Sequence, residues 1–447
     1  MADLLLGADL GTSGLKLAAL DTDGAVVAEA EVGYPLETPQ PGWAQTPVAV
    51  WRSALGEALD HLDLAGHAVR GLGISGQMHG AVLVDASGAA LSPALLWPDQ
   101  RATAQVERWR SLPDDDRAAL ANPLVPGMTG PLTAWLAEHE PELVARAAGV
   151  LLPKDALRAT LVPDADPLVT DRSDASATLL WDVPADDWSA PAVALAGAAV
   201  PRVLPAHQVV GTAVLGALGE VPVVVGGADT PLALLATGTT AGLQVNLGTG
   251  AQLLRPAAVP GPALDPVTHL YADAADGWYA MAALQNGGLA WDWVRRVLGF
   301  GWDQLVATLD GPDAGGVRFT PWLTGERGGV AGPDDRAAWT GLHAGTTRAD
   351  LGRAALEGVA DAVAAGADLL DPAGDAPVVL TGGGVRTPAV QQLLADALGR
   401  PVQHVRVRSA SATGAAQLAA RGVGLDLVPQ RRLGPVVEPR VALGPGR

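Results

Sequence analysis

Asp9-Leu10-Gly11-Thr12-Ser13-Gly14-Leu15-Lys16 is the stretch on which the fold turns. Short apolar runs of strand length flank it, Leu4 to Asp9 and Leu15 to Leu20. A third, Ala25 to Glu31, follows an Asp23-Gly24 turn. Glycines in the first turn let the backbone fold tightly and aim its N–H groups inward at an anion. Thr12 and Ser13 add hydroxyl donors, and Asp9, at a strand end, has the chemistry to hold a hydrated Mg²⁺. Taken alone, the same residues make an ordinary hairpin turn.

Downstream, Thr46 is placed to cap a helix and Pro47 to open it, with Trp51, Leu55, Leu59 and Leu62 on one face. Strands at Gly71 to Ser75 and Ala81 to Asp85 follow. The same order then returns. Leu243 to Leu247 reads as a strand, Gly248-Thr249-Gly250 as its turn, and Gln252 to Arg255 as the return strand. Tyr271 to Asp273 and Trp278 to Ala283 continue the series, and a helix from Leu351 to Leu370 buries Leu356, Val359, Val363, Ala367 and Leu370. With 447 residues, the chain suits two domains of roughly 200 residues. The repeat predicts two related α/β halves, 1–235 and 236–447, facing one cleft, with a hinge near Gly226 to Gly242. A third glycine cluster, Thr381-Gly382-Gly383-Gly384, lies between the strand Val378 to Leu380 and a helix from Ala389 to Leu398. It suits a flat group lying against backbone, or a plain strand-to-helix connection.

Composition removes several classes. A net charge of −19, spread thinly, opposes nucleic acid and anionic membrane surfaces. It leaves room for a small polyanion held by local loops. With no cysteine, disulfides and thiolate chemistry are excluded. Met1-Ala2-Asp3-Leu4 carries an acid where a secretory leader carries basic residues, and the uncharged run Thr230 to Leu254 is broken by Gly, Thr, Asn and Gln. A cytoplasmic protein is the expectation. Lys16 and Lys154 are the only lysines.

The three glycine turns, in this order, resemble the nucleotide site of the actin, Hsp70 and sugar kinase superfamily. A further ordered series narrows the likeness: Gly76-Gln77-Met78-His79-Gly80, Trp97-Pro98-Asp99-Gln100-Arg101, Pro153-Lys154-Asp155, Gly226-Gly227-Ala228-Asp229, Gly325-Glu326-Arg327 and Ser411-Ala412-Thr413-Gly414. It is similar to FGGY carbohydrate kinases from about Leu4 to Ala420, and the Gly-Gln-Met-His-Gly box is similar to the xylulokinase branch.

That resemblance implies two ribonuclease H-like domains of the actin-like ATPase type, with ATP and Mg²⁺. Asp229 would be the base. Met78 and His79 would touch the sugar, with Thr230 beside Asp229. Gly11, Thr12, Ser13, Lys16, Gly248, Thr249 and Gly250 would hold phosphates, Gly383 and Gly384 the adenosine, and Asp9 the metal. Trp97, Asp99 and Arg101 could line the same pocket, or form a structural ion pair beside a core tryptophan. Pro153-Lys154-Asp155 is expected as a structural turn, and Glu326-Arg327 as a link between halves or a cleft edge. A homodimer is also implied. Thr230, Leu132, Gly328-Gly329 and Arg336-Ala337-Ala338-Trp339-Thr340-Gly341 depart from the branch's usual residues. The acceptor is therefore D-xylulose or another sugar or sugar acid, such as gluconate. A non-catalytic sensor on the same fold is the alternative from another class.

Overall fold

The computed structural model describes residues 3–64, 66–371, 374 and 376–440. Met1 and Ala2, part of the expected leaderless N-terminus, lie outside the described residues, as do 441–447.

The opening hairpin forms where the alternation places it. Strands β1 (Asp3–Leu10) and β2 (Gly14–Asp21) pair antiparallel, with Leu10 opposite Leu15, and β3 (Val26–Gly33) pairs with β2. Helix α1 (Val48–Asp60) lays Trp51, Ala54 and Leu55 on one face of this sheet. Its start differs from expectation. Thr46 lies in a two-residue strand paired with Ala94 and is buried, so Pro47 takes the cap position and no side chain caps the helix. Leu62 is buried but lies beyond the last helical turn.

Strand β4 (Ala68–Gly76) runs parallel to β1. Helix α2 (Pro153–Leu161) covers its apolar face, so Pro153-Lys154-Asp155 is a first helical turn rather than a loop. After β5 (Val209–Val214), β6 (Glu220–Val224) and β7 (Gly227–Ala228), the sheet order is β5-β6-β4-β1-β2-β3, with β7 on the end of β4. The segment read as a hinge is largely ordered secondary structure: β7 runs straight into helix α3 (Asp229–Thr237), which Gly238 ends in the left-handed conformation.

The second sheet repeats the plan. It contains β8 (Gln244–Leu247), β9 (Ala251–Pro256), β10 (His269–Ala272) and β11 (Trp278–Leu284). Helices α4 (Gly288–Leu298) and α5 (Arg348–Leu370) precede β12 (Val378–Thr381), and α6 (Pro388–Leu398) precedes β13 (Val402–Arg406). After helix α7 (Ala410–Gly422), β14 (Arg432–Val437) closes the order β10-β11-β9-β8-β12-β13-β14. The antiparallel β8–β9 pair followed by parallel β12 mirrors β1–β2 followed by β4. The expected stripe of α5 is buried, and each of its larger aliphatic side chains contributes about 1.5–3 kcal/mol.

Helix α7 does not stay with the second sheet. It returns to the first, where Ala412, Ala416, Ala419 and Ala420 meet Leu5, Ala18 and Leu20. The approach is backbone to backbone: a Cβ on Gly7 would lie 1.8 Å from the Ala412 carbonyl oxygen, and one on Gly73 2.0 Å from that of Ala415. Glu29 of β3 ties down the entry to the helix, pairing with Arg408 at 2.7 Å and accepting from Ser409 Oγ at 3.1 Å. Gly7→Ala is expected to push α7 off the sheet and to cost about 1–3 kcal/mol of stability, read as a lower urea midpoint. An unchanged midpoint would show that the contact yields freely.

Candidate active site

The C-terminal ends of β1 and β4, the start of α3 and the ends of the central strands β8 and β12 of the second sheet converge on one cleft. A cavity of about 800 Å³ there is lined by Asp9, Lys16, Thr230, Asn246, Thr381 and Gly383, among others. Arg386, Arg406, Arg408, Arg431 and Arg432 also line it. An acidic protein thus presents a strongly cationic cavity, which suits a polyanion.

The first glycine turn is braced rather than loose. Gly11 N donates to Gly14 O at 3.0 Å, and the Tyr34 hydroxyl donates to Gly11 O at 2.6 Å. Trp97 Nε1 donates to Thr12 Oγ1 at 2.9 Å, which in turn donates to Gln77 Oε1 at 3.1 Å. The second turn, Gly248 to Gly250, is held from behind: Gly288 N donates to Gly248 O at 2.9 Å and Leu289 N to Thr249 O at 2.8 Å. At the third, Gly382 has a φ of +94°, which only glycine adopts without strain. A Cβ on Gly383 would meet nothing within 4 Å, so protein packing leaves that position open.

Asp9 lines this cavity, and a second buried carboxylate, Asp229, immediately precedes the lining residue Thr230. Ser75 Oγ donates to Asp9 Oδ1 at 3.1 Å, and burial pushes the Asp9 carboxyl up to about 6 against that bond and the charge of Lys16. Asp229 opens α3, where its Oδ1 accepts from the Thr230 amide at 2.6 Å and hydroxyl at 3.2 Å. Burial first, and the charge of Asp9 second, raise the Asp229 carboxyl to about 7. Its charge also reaches the buried hydroxyl of Tyr279, whose O–H donates to Met78 Sδ at 3.7 Å. Asp229 is thus within electrostatic reach both of Asp9 and of Tyr279, which bonds Met78.

On that wall His79 has a φ of 66°, a strained value for a residue with a Cβ, and its Nδ1 lies 2.5 Å from Ala177 O. A carbonyl oxygen only accepts, so Nδ1 carries the proton. Burial lowers the ring to about 4, leaving Nε2 an acceptor at neutral pH. Tyr271 lies 5.9 Å from the His79 ring and bonds His269 Nδ1 at 2.6 Å. Arg327 reaches across from the second half to 5.9 Å over the exposed ring of Trp97. Glu326 instead is buried and accepts from the amides of Gln285 at 2.7 Å and Asn286 at 3.2 Å.

The structure thus brings together Asp9, Asp229, Thr230, Met78, His79 and Trp97. Asp99 and Arg101 are set apart. They form a buried ion pair at 2.9 Å, with side-chain exposures of 0% and 4%; Asp99 also accepts from Ala44 N at 2.6 Å, and Arg101 stacks 3.7 Å over Trp43. Sequence reasoning gave no site role to Tyr271, Tyr279 or the cavity arginines Arg406, Arg408, Arg431 and Arg432. One signal was available: the chain has three tyrosines, and Tyr34, Tyr271 and Tyr279 all lie at this site.

Comparison with known proteins agrees with this geometry. Residues 4–236 match the N-terminal domain, and 243–423 the C-terminal domain, of the FGGY family of carbohydrate kinases. The chain belongs to that family. It is 32% identical to the xylulose kinase of Escherichia coli K12, over 96% of this chain and 91% of that one. It is 33% identical to the xylulose kinase of Klebsiella pneumoniae, over 94% and 89%. Xylulose kinase from Rhodospirillum rubrum superposes with a TM-score of 0.87 at 28% identity, covering 98% of this chain and 94% of that one. Gluconate kinase from Lactobacillus acidophilus, with a TM-score of 0.89 and 19% identity over 98% and 94%, shows the shared fold alone. The kinase has the two-domain, actin-like ATPase fold, and ATP is its phosphoryl donor. Among the described residues no helix is long and apolar enough to cross a membrane.

A carboxylate that must accept a proton works only when ionised. Because burial favours its protonated form, the Asp229 carboxyl loses its capacity to accept a proton as pH falls through about 7, so any rate that depends on that capacity falls with it. The sugar kcat/KM of the kinase is expected to drop about tenfold per pH unit below that point and to level above it. A profile flat to about pH 5 would show that Asp229 does not titrate as its surroundings dictate.

Proposed function

We propose that the kinase transfers the γ-phosphoryl group of ATP to the terminal hydroxyl of D-xylulose, giving D-xylulose 5-phosphate. The observation that carries this reading is the buried Asp229 at the start of α3, held by the Thr230 donors, its carboxyl raised to about 7 and within electrostatic reach of Asp9 and of Tyr279, which bonds Met78.

In this reading Asp229 takes the proton of the attacking hydroxyl as the in-line transfer proceeds. The dipole of α3 and the Thr230 donors hold the carboxylate on its axis. His79 Nε2 accepts a sugar hydroxyl, while Met78 and the tyrosines supply the apolar wall that keeps water from the reacting oxygen. Gly11, Thr12 and Ser13 on one side, and Gly248, Thr249 and Gly250 on the other, bracket the phosphates. Lys16 faces their charge, and Gly383 and Gly384 lie beneath the adenosine. The division at 235/236 follows from the same reading.

The residues present fit Mg²⁺ as a partner of the nucleotide. Asp9 and Asp229 repel one another, and no group of three or more metal-binding side chains exists among the described residues. Asp9 would hold the hydrated ion, in the same cavity that Asn246 of β8 lines. When bound, the ion neutralises phosphate charge.

Arg327 favours a second reading, because a guanidinium near His79 and Trp97 suits the carboxylate of an aldonate. ADP release with Mg·ATP should be measured across xylulose, ribulose, gluconate and glycerol. Selective stimulation by D-xylulose is the expected result, while selectivity for gluconate would move the assignment to Arg327. Asp229→Asn should lower kcat about 10²–10⁴-fold, and unchanged turnover would remove Asp229 from the chemistry.

A further inference from the structure

The second of the two lysines is buried completely, with three aspartates around it. Lys154 Nζ lies 2.7 Å from Asp155 Oδ1, 3.0 Å from Asp171 Oδ1 and 3.1 Å from Asp174 Oδ2. Arg158 joins the group, donating from NH1 to Asp155 Oδ1 at 2.6 Å. Five ionisable side chains in a dry interior are costly to assemble, and apolar residues of similar volume often give equal or greater stability. Stability alone is thus a weak reason for such a cluster, and the bonds that leave it point to another.

Two of those bonds grip the segment that carries Asp229. Arg158 NH1 donates to the carbonyl of Val225 at 3.1 Å, at the upstream end. At the downstream end, the amide of Ala228 donates to Ser173 Oγ at 3.0 Å. Ser173 in turn donates from Oγ to Asp171 Oδ2 at 2.5 Å, and its own amide donates to the same oxygen at 2.8 Å. Asp171 holds Ser173 in the orientation that leaves a lone pair for Ala228, and Lys154 holds Asp171. Ala228 is the residue before α3, so its amide has no partner within the helix, and the next residue is Asp229. The cluster also bears on Asp9. Lys154 packs so closely beneath Gly76 that a Cβ there would lie 2.7 Å from that of Lys154. Gly227 and Ala228 pair with Ser75 and Gly76, and Ser75 bonds Asp9.

We propose that Ser173, oriented by the Lys154–Asp171 ion pair, is a positioning residue for the base of the reaction: through the Ala228 amide it fixes the first turn of α3 and with it the Asp229 carboxylate. Arg158 performs the same service at Val225. The inference rests on Asp229 being the base. A carboxylate displaced by a fraction of an ångström still belongs to a folded enzyme that binds its substrates, yet meets the hydroxyl in poor geometry.

The test uses the full chain. Ser173→Ala should lower kcat about 10- to 100-fold, with the KM values for sugar and for ATP within about twofold. Rates are normalised to the folded fraction from thermal unfolding. Ser173→Thr, which restores the hydroxyl, should recover most of the loss. Arg158→Lys keeps the charge, cannot reach both Asp155 and Val225, and should reproduce the kcat-selective loss; it carries the test alone if Ser173→Ala does not fold. Folded variants with wild-type kcat would overturn the proposal, as would a kcat loss matched by equal KM changes or a Thr variant no better than Ala. Asp229→Asn, run in parallel, separates the two failures. An active Asp229→Asn enzyme removes the base assignment itself, whereas an inactive one beside a fully active Ser173→Ala enzyme removes the positioning role alone.

Discussion

A helix can lie directly on a strand only where no side chain stands between them, and this constraint governs the cleft. Gly7 and Gly73 on the first sheet accept the backbone of α7 at Ala412 and Ala415, and Gly414 on α7 meets Leu232 of α3 just as closely. Two helices are thereby clamped together against one sheet, although α7 follows the last parallel strand of the other. The chain crosses between its halves twice, through α3 and α7, and the cleft opens where those helices begin. Asp229 is at the start of α3, and Ser409 at the start of α7. Closure of the halves about this pair would change the distance from Asp9 and Lys16 to Asn246 and Thr381, while leaving Asp229 fixed near the axis.

Burial then decides the chemistry available there. Asp9 and Asp229 are raised for the same first reason, loss of water, and each retains donors that moderate the rise: Ser75 for one and Thr230 for the other. A carboxyl at about 7 is poised between acid and base at neutral pH, which an exposed aspartate is not. The Lys154 cluster meets the same desolvation with a cation: Lys154 Nζ lies within 3.1 Å of three carboxylates, yet burial still raises the Asp174 carboxyl well above the ordinary range. Asp229 meets burial with the two Thr230 donors, whereas the cluster carboxylates share the charge of Lys154.

Local pattern carried much of the fold. The Gly-Thr turn after a first strand occurs at Gly11 and Gly248, the two sheets repeat the same antiparallel-then-parallel order, and the α5 stripe is buried as its spacing requires. The errors came from contacts between distant residues. Thr46 has the chemistry of a cap, but pairing with Ala94 fixes its backbone one residue too early. The return of α7 to the first sheet could not be read from its Ala-rich sequence, since small residues suit any close contact, and Glu29 meets Arg408 only after a separation of nearly the whole chain. At the site, motif order singled out Asp9, Asp229, Met78 and His79 as candidates. It did not separate Trp97, which bonds Thr12, from Asp99 and Arg101, which bond each other, because all three stand in one short stretch.

Charge distribution resolves an apparent conflict in the composition. A net charge of −19 should repel a nucleotide, yet Lys16, Arg386, Arg406 and Arg432 line the same cavity as Asp9. Arg406 and Arg432 stand directly opposite one another on β13 and β14, an arrangement that like charges disfavour unless an anion lies between or near them. The surroundings of Met78 are built differently, from neutral His79, buried tyrosines and a thioether, with Arg327 the nearby cation. An incoming polyanion is therefore drawn toward one end of the cleft and a neutral polyol toward the other. Thr230, the residue after Asp229, lines the cationic cavity, while the charge of Asp229 also reaches Tyr279, which bonds Met78, so the helix start faces both environments.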